Sequence, residues 1–409
     1  MNPKPTSSTM HTSSYAVDIQ HHDTEGLAHG FQLRRHNNES EADEGSREAR
    51  TDWVDNVGPI DVAGCCNPYS GHFAALTLPT CLPERLRIIS YIFEYAFLHD
   101  GVMESATKAI EQQQQQQATD NDFATRSFDP ATKAKAGSKK MQAKMVQGLT
   151  AIDPACAQVC IEAWKEMVNT TSRRDKDKPF TSMDEYLEYR IIDTGAPFVD
   201  KHMCFGMGII LDDNEIEQVR EIAHAAYAAL GLCNDYFSFD VEYNDFKRSN
   251  KKAMTNIVWL FMHWHGVDIT EAKRLARTET RLYELKFLRL QQEADHTLSL
   301  KLRHYVQGLA YQIAGNAAWS TDNPRYHLDR DIYQDDMTDF DRSLACYHCS
   351  SKPAQSESGH KKQFSTDDTT AASSVHTRSS GTSPSRHSSR SSVSDDQDFQ
   401  EVQVQKEED

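Results

Sequence analysis

No run approaching the roughly 18 apolar residues of a membrane-spanning helix occurs in this 409-residue chain, so stable membrane insertion is not expected. An apolar core is also missing from its start, MNPKPTSSTMHTSSYAV, which therefore does not read as a secretory signal. Positive charge is scarce. The 44 Lys and Arg face 61 Asp and Glu, giving a formal charge of −17 that argues against non-specific nucleic-acid binding. Nine cysteines at irregular spacings do not make a disulfide framework in a chain of this length and read as reduced thiols of a cytoplasmic protein. Cys346 and Cys349 form a lone CYHC pair, weak as a zinc signal without a second pair. Clear two-residue alternation and internal repeats are lacking too. The hydrophobic share of 38% and a mean hydropathy of −0.67 are low for one globular body, and both polar ends account for much of the deficit.

What is present reads as helix, and the fold class expected is all-α. Residues 1–13 are rich in Ser, Thr and Pro and are expected to be disordered. The charged run NNESEADEGSREAR suggests a solvated helix, and 59–79 an irregular segment that packs Tyr69, Phe73 and Leu76. Pro83 and Glu84 suit the first turn of a helix. That helix carries Leu86, Ile89, Ile92, Phe93, Ala96 and Phe97 on one broad side and is apolar almost all round further on, as in a buried bundle helix. Six glutamines, Gln112 to Gln117, open a low-complexity loop expected over 112–139.

Helices are next expected over 140–166, divided at Pro154, and from Ser182, whose spacing to Glu185 is that of a capping box. The run Asp193-Thr194-Gly195-Ala196-Pro197 predicts a break. An apolar segment at 198–211 and helices over 215–242, 256–265, 270–293 and 295–319 complete a folded domain of 14–335. The remainder, 336–409, is a Ser-rich tail too polar to fold. Asp335-Asp336-Met337-Thr338-Asp339 has no apolar helix behind it and reads as a solvated segment of that acidic stretch.

Chemistry concentrates in NDYFSFDVE. On a helix Asn234, Ser238 and Glu242 drift only ~80° around the axis, so an amide oxygen, a hydroxyl and a carboxylate share a face. That hard oxygen set suits Mg²⁺, which leaves further positions to water and phosphate oxygens. On spacing alone it is equally the polar stripe of an ordinary amphipathic helix. Asp100 and Glu104 stand at i, i+4 where the Pro83 helix turns polar. Arg190 precedes the break by three residues and offers a rigid fork of donors to phosphate. Beyond Trp319, Pro324 forces the chain out of its helix and presents Arg325 and Tyr326.

Together these pieces resemble class I terpene synthases, in particular the cyclase domain of fungal bifunctional di- and sesterterpene synthases. N-D-x-x-S-x-x-x-E is similar to that family's second metal motif, LHDGVME to its Asp-rich first motif, and WSTDNPRY to its C-terminal Arg-Tyr pair. Two departures stand out: Gly101 takes the second acidic position, and Val241 replaces a Lys common before the final Glu.

The resemblance implies a helical bundle around a central cavity and a set of three Mg²⁺. Asp100, Glu104, Asn234, Ser238 and Glu242 would be the metal ligands. Arg190 would be the diphosphate sensor, Asp193, Thr194 and Gly195 the linker and effector positions with an unwound carbonyl, and Arg325 and Tyr326 the closing pair. Lys247 or Arg248 would stand in for the missing Lys, and Phe97 and Trp319 would line the pocket. The implied reaction is ionisation and cyclisation of geranylgeranyl diphosphate, or secondly geranylfarnesyl diphosphate. The tail of about 70 polar residues is too short for a prenyltransferase domain. A separate prenyl diphosphate synthase would then be the substrate source, and a homodimer is left open. A chain-elongating transferase of the same fold and a catalytically silent binding protein are the alternatives.

Overall fold

The computed structural model describes residues 13–60, 62–116, 130–175 and 177–327; for 101–116 and 130–133 only the helical backbone is described. The chain divides into two units, Met1–Lys352 and Pro353–Asp409, and every described residue belongs to the first. The expected disordered ends, the Asp335–Asp339 run and the Cys346/Cys349 pair lie outside the described residues.

Eleven α-helices account for most of what is described. In chain order they are α1 (Glu39–Asn56), α2 (Phe73–Thr77), α3 (Pro83–Gln116), α4 (Pro130–Ile152), α5 (Pro154–Arg173) and α6 (Met183–Asp193). Then follow α7 (Ala196–Met207), α8 (Asp213–Arg248), α9 (Ile257–His265), α10 (Ile269–Ala294) and α11 (Leu300–Ser320). α8 is the axis of the site. Its middle is buried nearly all round, with α10 and α11 packed along it and α6, α7 and α9 against its flanks. Asp212 and Glu215 start it with a complete capping box. Pro154 begins α5 behind the cap Asp153, so the segment divides where expected.

Five expectations need correcting. A two-stranded antiparallel sheet exists: β1 (Ser14–Val17) pairs with β2 (Leu33–His36), Ser14 opposite His36 and Val17 opposite Leu33. Each strand is four residues long, and buried Arg34, bonded to the Ser14 hydroxyl and carbonyl, hides any alternation.

The charged run is not a solvated helix. α1 buries Ala42, Gly45, Ser46, Ala49 and Trp53 against α3, and Arg50 makes a buried ion pair with Glu94 at 2.7 Å. Its stripe is built from small residues, which add little hydropathy but allow close approach. A Cβ on Gly45 would lie 2.2 Å from the Arg87 carbonyl oxygen.

The glutamine run lies in helix as far as Gln116 and helix is again present from Pro130, so 112–116 and 130–139 are helix where a loop was expected. Tyr69 is 39% exposed, whereas Phe73 and Leu76 are buried as expected. The capping box at Ser182 is half made. Its hydroxyl accepts the Glu185 N–H, but the Glu185 carboxylate accepts from Thr181.

Candidate active site

Arg190 is 7% exposed near the end of α6 and has acidic or amide oxygen on every side. Its Nε donates to Asp235 Oδ1 at 2.8 Å, one terminal nitrogen to Asp193 Oδ2 at 2.6 Å and the other to Asn234 Oδ1 at 2.7 Å. Burial opposes its charge, but Asp235, Tyr186 and Asp193 outweigh that cost and push its pKa up. Asn234 passes the chain of contacts on, its Nδ2 donating to the Tyr326 phenol oxygen at 2.7 Å. Tyr326, whose ionisation burial suppresses, packs edge-on against Trp319 with centroids 5.7 Å apart.

Arg325, next in sequence, closes the other side. It donates to Asp100 Oδ2 at 2.7 Å, to the carbonyls of Phe97 and Ala63 at 3.3 Å each, and lies 5.2 Å from the Phe97 ring centroid. A continuous path thus runs Asp193–Arg190–Asn234–Tyr326–Arg325–Asp100, joining α6, α8, the segment after α11, and α3.

One and two turns beyond Asn234 on α8 stand Ser238 and Glu242. Ser238 is buried, and its hydroxyl oxygen has no hydrogen-bond partner among the described residues. Glu242 is part-buried and accepts one bond, from Asn256 Nδ2 at 3.1 Å. Burial raises its pKa to about 7; the Arg190 charge opposes this and that of Asp235 adds to it. An orphaned buried hydroxyl beside an undercompensated carboxylate and an amide oxygen is a donor set that fits a hard divalent cation. No cluster of three His, Cys, Asp or Glu side chains that could hold a metal occurs among the described residues.

Other expected residues fall as follows. Thr194 caps α6, its hydroxyl bonded to the Arg190 carbonyl at 2.9 Å. Gly195 supplies the left-handed turn (φ 74°) that lets α7 start in a new direction. Its carbonyl accepts the Val199 N–H at 2.9 Å, so it is engaged in the first turn of α7 and is not an unwound carbonyl of the kind the resemblance implied for this run. Phe97 and Trp319 meet at 5.5 Å, with Phe73 5.5 Å from Phe97 and 5.2 Å from Trp319, as one aromatic wall. Lys247 is not brought to this network. It is exposed, its ammonium 4.8 Å from the Tyr243 ring centroid, and Arg248 is exposed beside Asp245. Glu104 lies on α3, with its side chain outside what is described.

Sequence reasoning missed Asp235, Asn256 and Tyr186. Asp235 is wholly buried and takes Arg190, the Tyr186 phenol and the Ile257 N–H. One position from Asn234 on a helix, it points about 100° away and looked off-face. Asn256 caps α9 while its Nδ2 reaches both the Asp235 carbonyl and Glu242. Only the cap was legible, as an Asn before IVWLF.

The sequence model for terpene synthase family 2, C-terminal metal binding, matches residues 91–281, which takes in Asp100, Arg190 and the whole of NDYFSFDVE. Variediene synthase of Aspergillus brasiliensis is 46% identical over 328 residues, 79% of this chain and 47% of that protein. Terpene cyclase ATR13 of Stachybotrys chlorohalonatus is 36% identical over 336 residues, covering 77% and 85%. The chain therefore spans about half the length of the variediene synthases it matches and most of ATR13. Among solved structures, aristolochene synthase from Penicillium roqueforti shares the fold at a TM-score of 0.50 and 19% identity, over 68% of this chain and 94% of that one. A metal-binding family model over Asp100, Arg190 and the α8 motif, with relatives of this similarity, leads to one conclusion: the chain belongs to the terpene synthase family.

Proposed function

We propose that this chain is a Mg²⁺-dependent terpene cyclase that ionises and cyclises a long polyprenyl diphosphate, geranylgeranyl diphosphate first and geranylfarnesyl diphosphate second. The observation that carries the proposal is the path from Asp193 to Asp100, because it gathers both carboxylate faces and both arginines at one place. Asp100, Asn234, Ser238 and Glu242, with Glu104, are the residues assigned to three Mg²⁺. The metal, when bound, supplies positive charge that stabilises diphosphate as a leaving group.

This chain's own groups do the rest. Arg190 now holds Asp193 and Arg325 holds Asp100, and diphosphate oxygens replace these two carboxylates like for like while Asp235 stays on Arg190. Tyr326 accepts from Asn234, which leaves its hydroxyl proton free to donate to the same anion. Asp235 holds Arg190 from behind and fixes the plane of its fork. The Phe73–Phe97–Trp319 wall excludes water and faces positive charge on carbon with aromatic rings that do not react as nucleophiles. Thr194 and Gly195 set the bend that carries α7 away from the diphosphate end. In this reading the enzyme is cytoplasmic and draws substrate from a prenyl diphosphate synthase.

The experiment is incubation of the full chain with Mg²⁺ and each C15, C20 and C25 diphosphate, followed by analysis of organic extracts. Cyclic product from the C20 substrate, lost with a chelator, is expected. Product only when isopentenyl diphosphate is added would make the chain an elongating transferase, and no product from any substrate would make it a silent relative.

A further inference from the structure

Cations gather where they are least expected in a chain of charge −17. Just past α8's metal-facing turn, Lys247, Arg248, Lys251 and Lys252 are all exposed within six residues. The end of α5 and the loop after it abut them, Asp177 accepting the Lys252 N–H at 3.2 Å, and add Arg173, Arg174 and Lys178. Seven described cations in these two segments face four acids, Asp175, Asp177, Asp245 and Glu185, the last within reach of the Lys178 and Arg174 charges. Lys247, Lys251 and Lys252 make no ion pair among the described residues.

Beside the cations runs a ladder of rings. Phe239 and Tyr243 stack at 5.1 Å, Tyr243 and Phe246 at 6.4 Å, Phe246 meets Trp259 at 5.7 Å, and Trp259 stacks on His263 at 5.1 Å. The ladder begins at fully buried Phe239 and surfaces at exposed His263, with Tyr243, Phe246, Trp259 and Met262 part-exposed between. Trp259, Met262 and His263, at i, i+3 and i+4, share the outward face of α9.

We propose that this face docks the chain reversibly on an anionic lipid bilayer, its cations against the headgroups and Phe246, Trp259 and Met262 at the interface. Amphipathic rings beside lysines match the headgroup layer, where ring body and polar edge find different surroundings. Each Lys or Arg near an anionic leaflet adds to the attraction, and the contribution fades within a Debye length. A bilayer is favoured over an acidic macromolecule because a flat surface meets this one face and leaves the acidic remainder outside the screening distance. Nor are the rings splayed as platforms for nucleic-acid bases, since each is already stacked on its neighbour. Glu242 lies one turn before Phe246 on α8, so docking would set the metal-facing end of that helix beside the lipid. The inference stands on the surface alone and does not require turnover.

Co-sedimentation of the full chain with vesicles, in chelator so that bound metal plays no part, tests it. Vesicles of phosphatidylcholine with a minor share of phosphatidylserine should pellet the protein at least ~10-fold better than phosphatidylcholine alone, an advantage lost in high salt. Reversing Arg248→Glu, Lys251→Glu and Lys252→Glu together should abolish the difference at unchanged thermal stability. Trp259→Ala should weaken pelleting about threefold with the salt dependence retained. Equal pelleting on both vesicle types, none on either, or binding that ignores the charge reversal or the Trp259 change overturns the proposal.

Discussion

Asn234 and Tyr326, 92 residues apart, are joined by a 2.7 Å hydrogen bond from the Asn234 amide nitrogen to the phenol oxygen. The bond ties the centre of α8 to the segment beyond α11, and the other side of the same amide accepts from Arg190. One amide therefore orients both a cation and a phenol of the proposed anion site. Tyr326→Phe removes one neutral bond and should cost about 1 kcal/mol of stability. KM for the diphosphate should rise about tenfold, with kcat changing less. Steady-state kinetics beside a melting curve checks this, and an unchanged KM would take Tyr326 out of substrate binding.

Ser238 offers a test in which stability and activity move oppositely. Its buried hydroxyl makes no hydrogen bond, so Ser238→Ala deletes an unsatisfied group and should leave the folded chain as stable or up to about 1 kcal/mol more stable. If the hydroxyl waits for a metal, the Mg²⁺ concentration for half-maximal activity should rise by about tenfold. A fall in Tm with unaltered Mg²⁺ dependence would mean that the hydroxyl serves packing instead.

The Arg50–Glu94 pair is a matter of stability away from the site. Both side chains are buried, and Glu94 also accepts the Cys65 N–H at 2.8 Å. Glu94→Gln leaves the Arg50 charge stranded and should cost about 3 kcal/mol or more in denaturant unfolding. Activity per folded molecule should hardly change, because the Glu94 carboxylate bonds to Arg50 and the Cys65 N–H and to neither arginine of the site path.

Acid sensitivity follows from two buried histidines. His72 donates to Ser46 and caps α2, and His202 donates to the Phe198 carbonyl between the Phe93 and Phe198 rings. Burial lowers both pKa values from 6.5 to about 4. Between those values the unfolded chain binds the extra protons, so their stabilisation is complete above pH 6.5 and is lost as pH falls towards 4. The slope is at most about 1.4 kcal/mol per pH unit for each group. Unfolding free energies across this window should fall with acid, and less steeply in His202→Gln; an identical slope in the variant would show that His202 is not among the groups responsible.

By itself the sequence determined the helical class, the position of α8, the break before α7 and most of the residues on the site path. Each of these is written locally: apolar periodicity spells a helix, Gly195 before Pro197 spells a bend, and i+4 spacing puts Asn234, Ser238 and Glu242 on one face whatever packs against it. The same reasoning misread α1, whose contact stripe of Ala, Gly and Ser carries almost no hydropathy, and placed Lys247 in a site from which the helix turns it away. Tertiary structure alone decided the partnerships. Asp100 meets Arg325 across 225 residues and Asp235 takes Arg190 across 45, and no local pattern encodes which of 44 cations finds which of 61 acids. It also decided which polar atoms would be left without partners. The Ser238 hydroxyl is left without a well-formed hydrogen bond because its turn of α8, Asp235 to Phe239, is buried against the neighbouring helices that close around it.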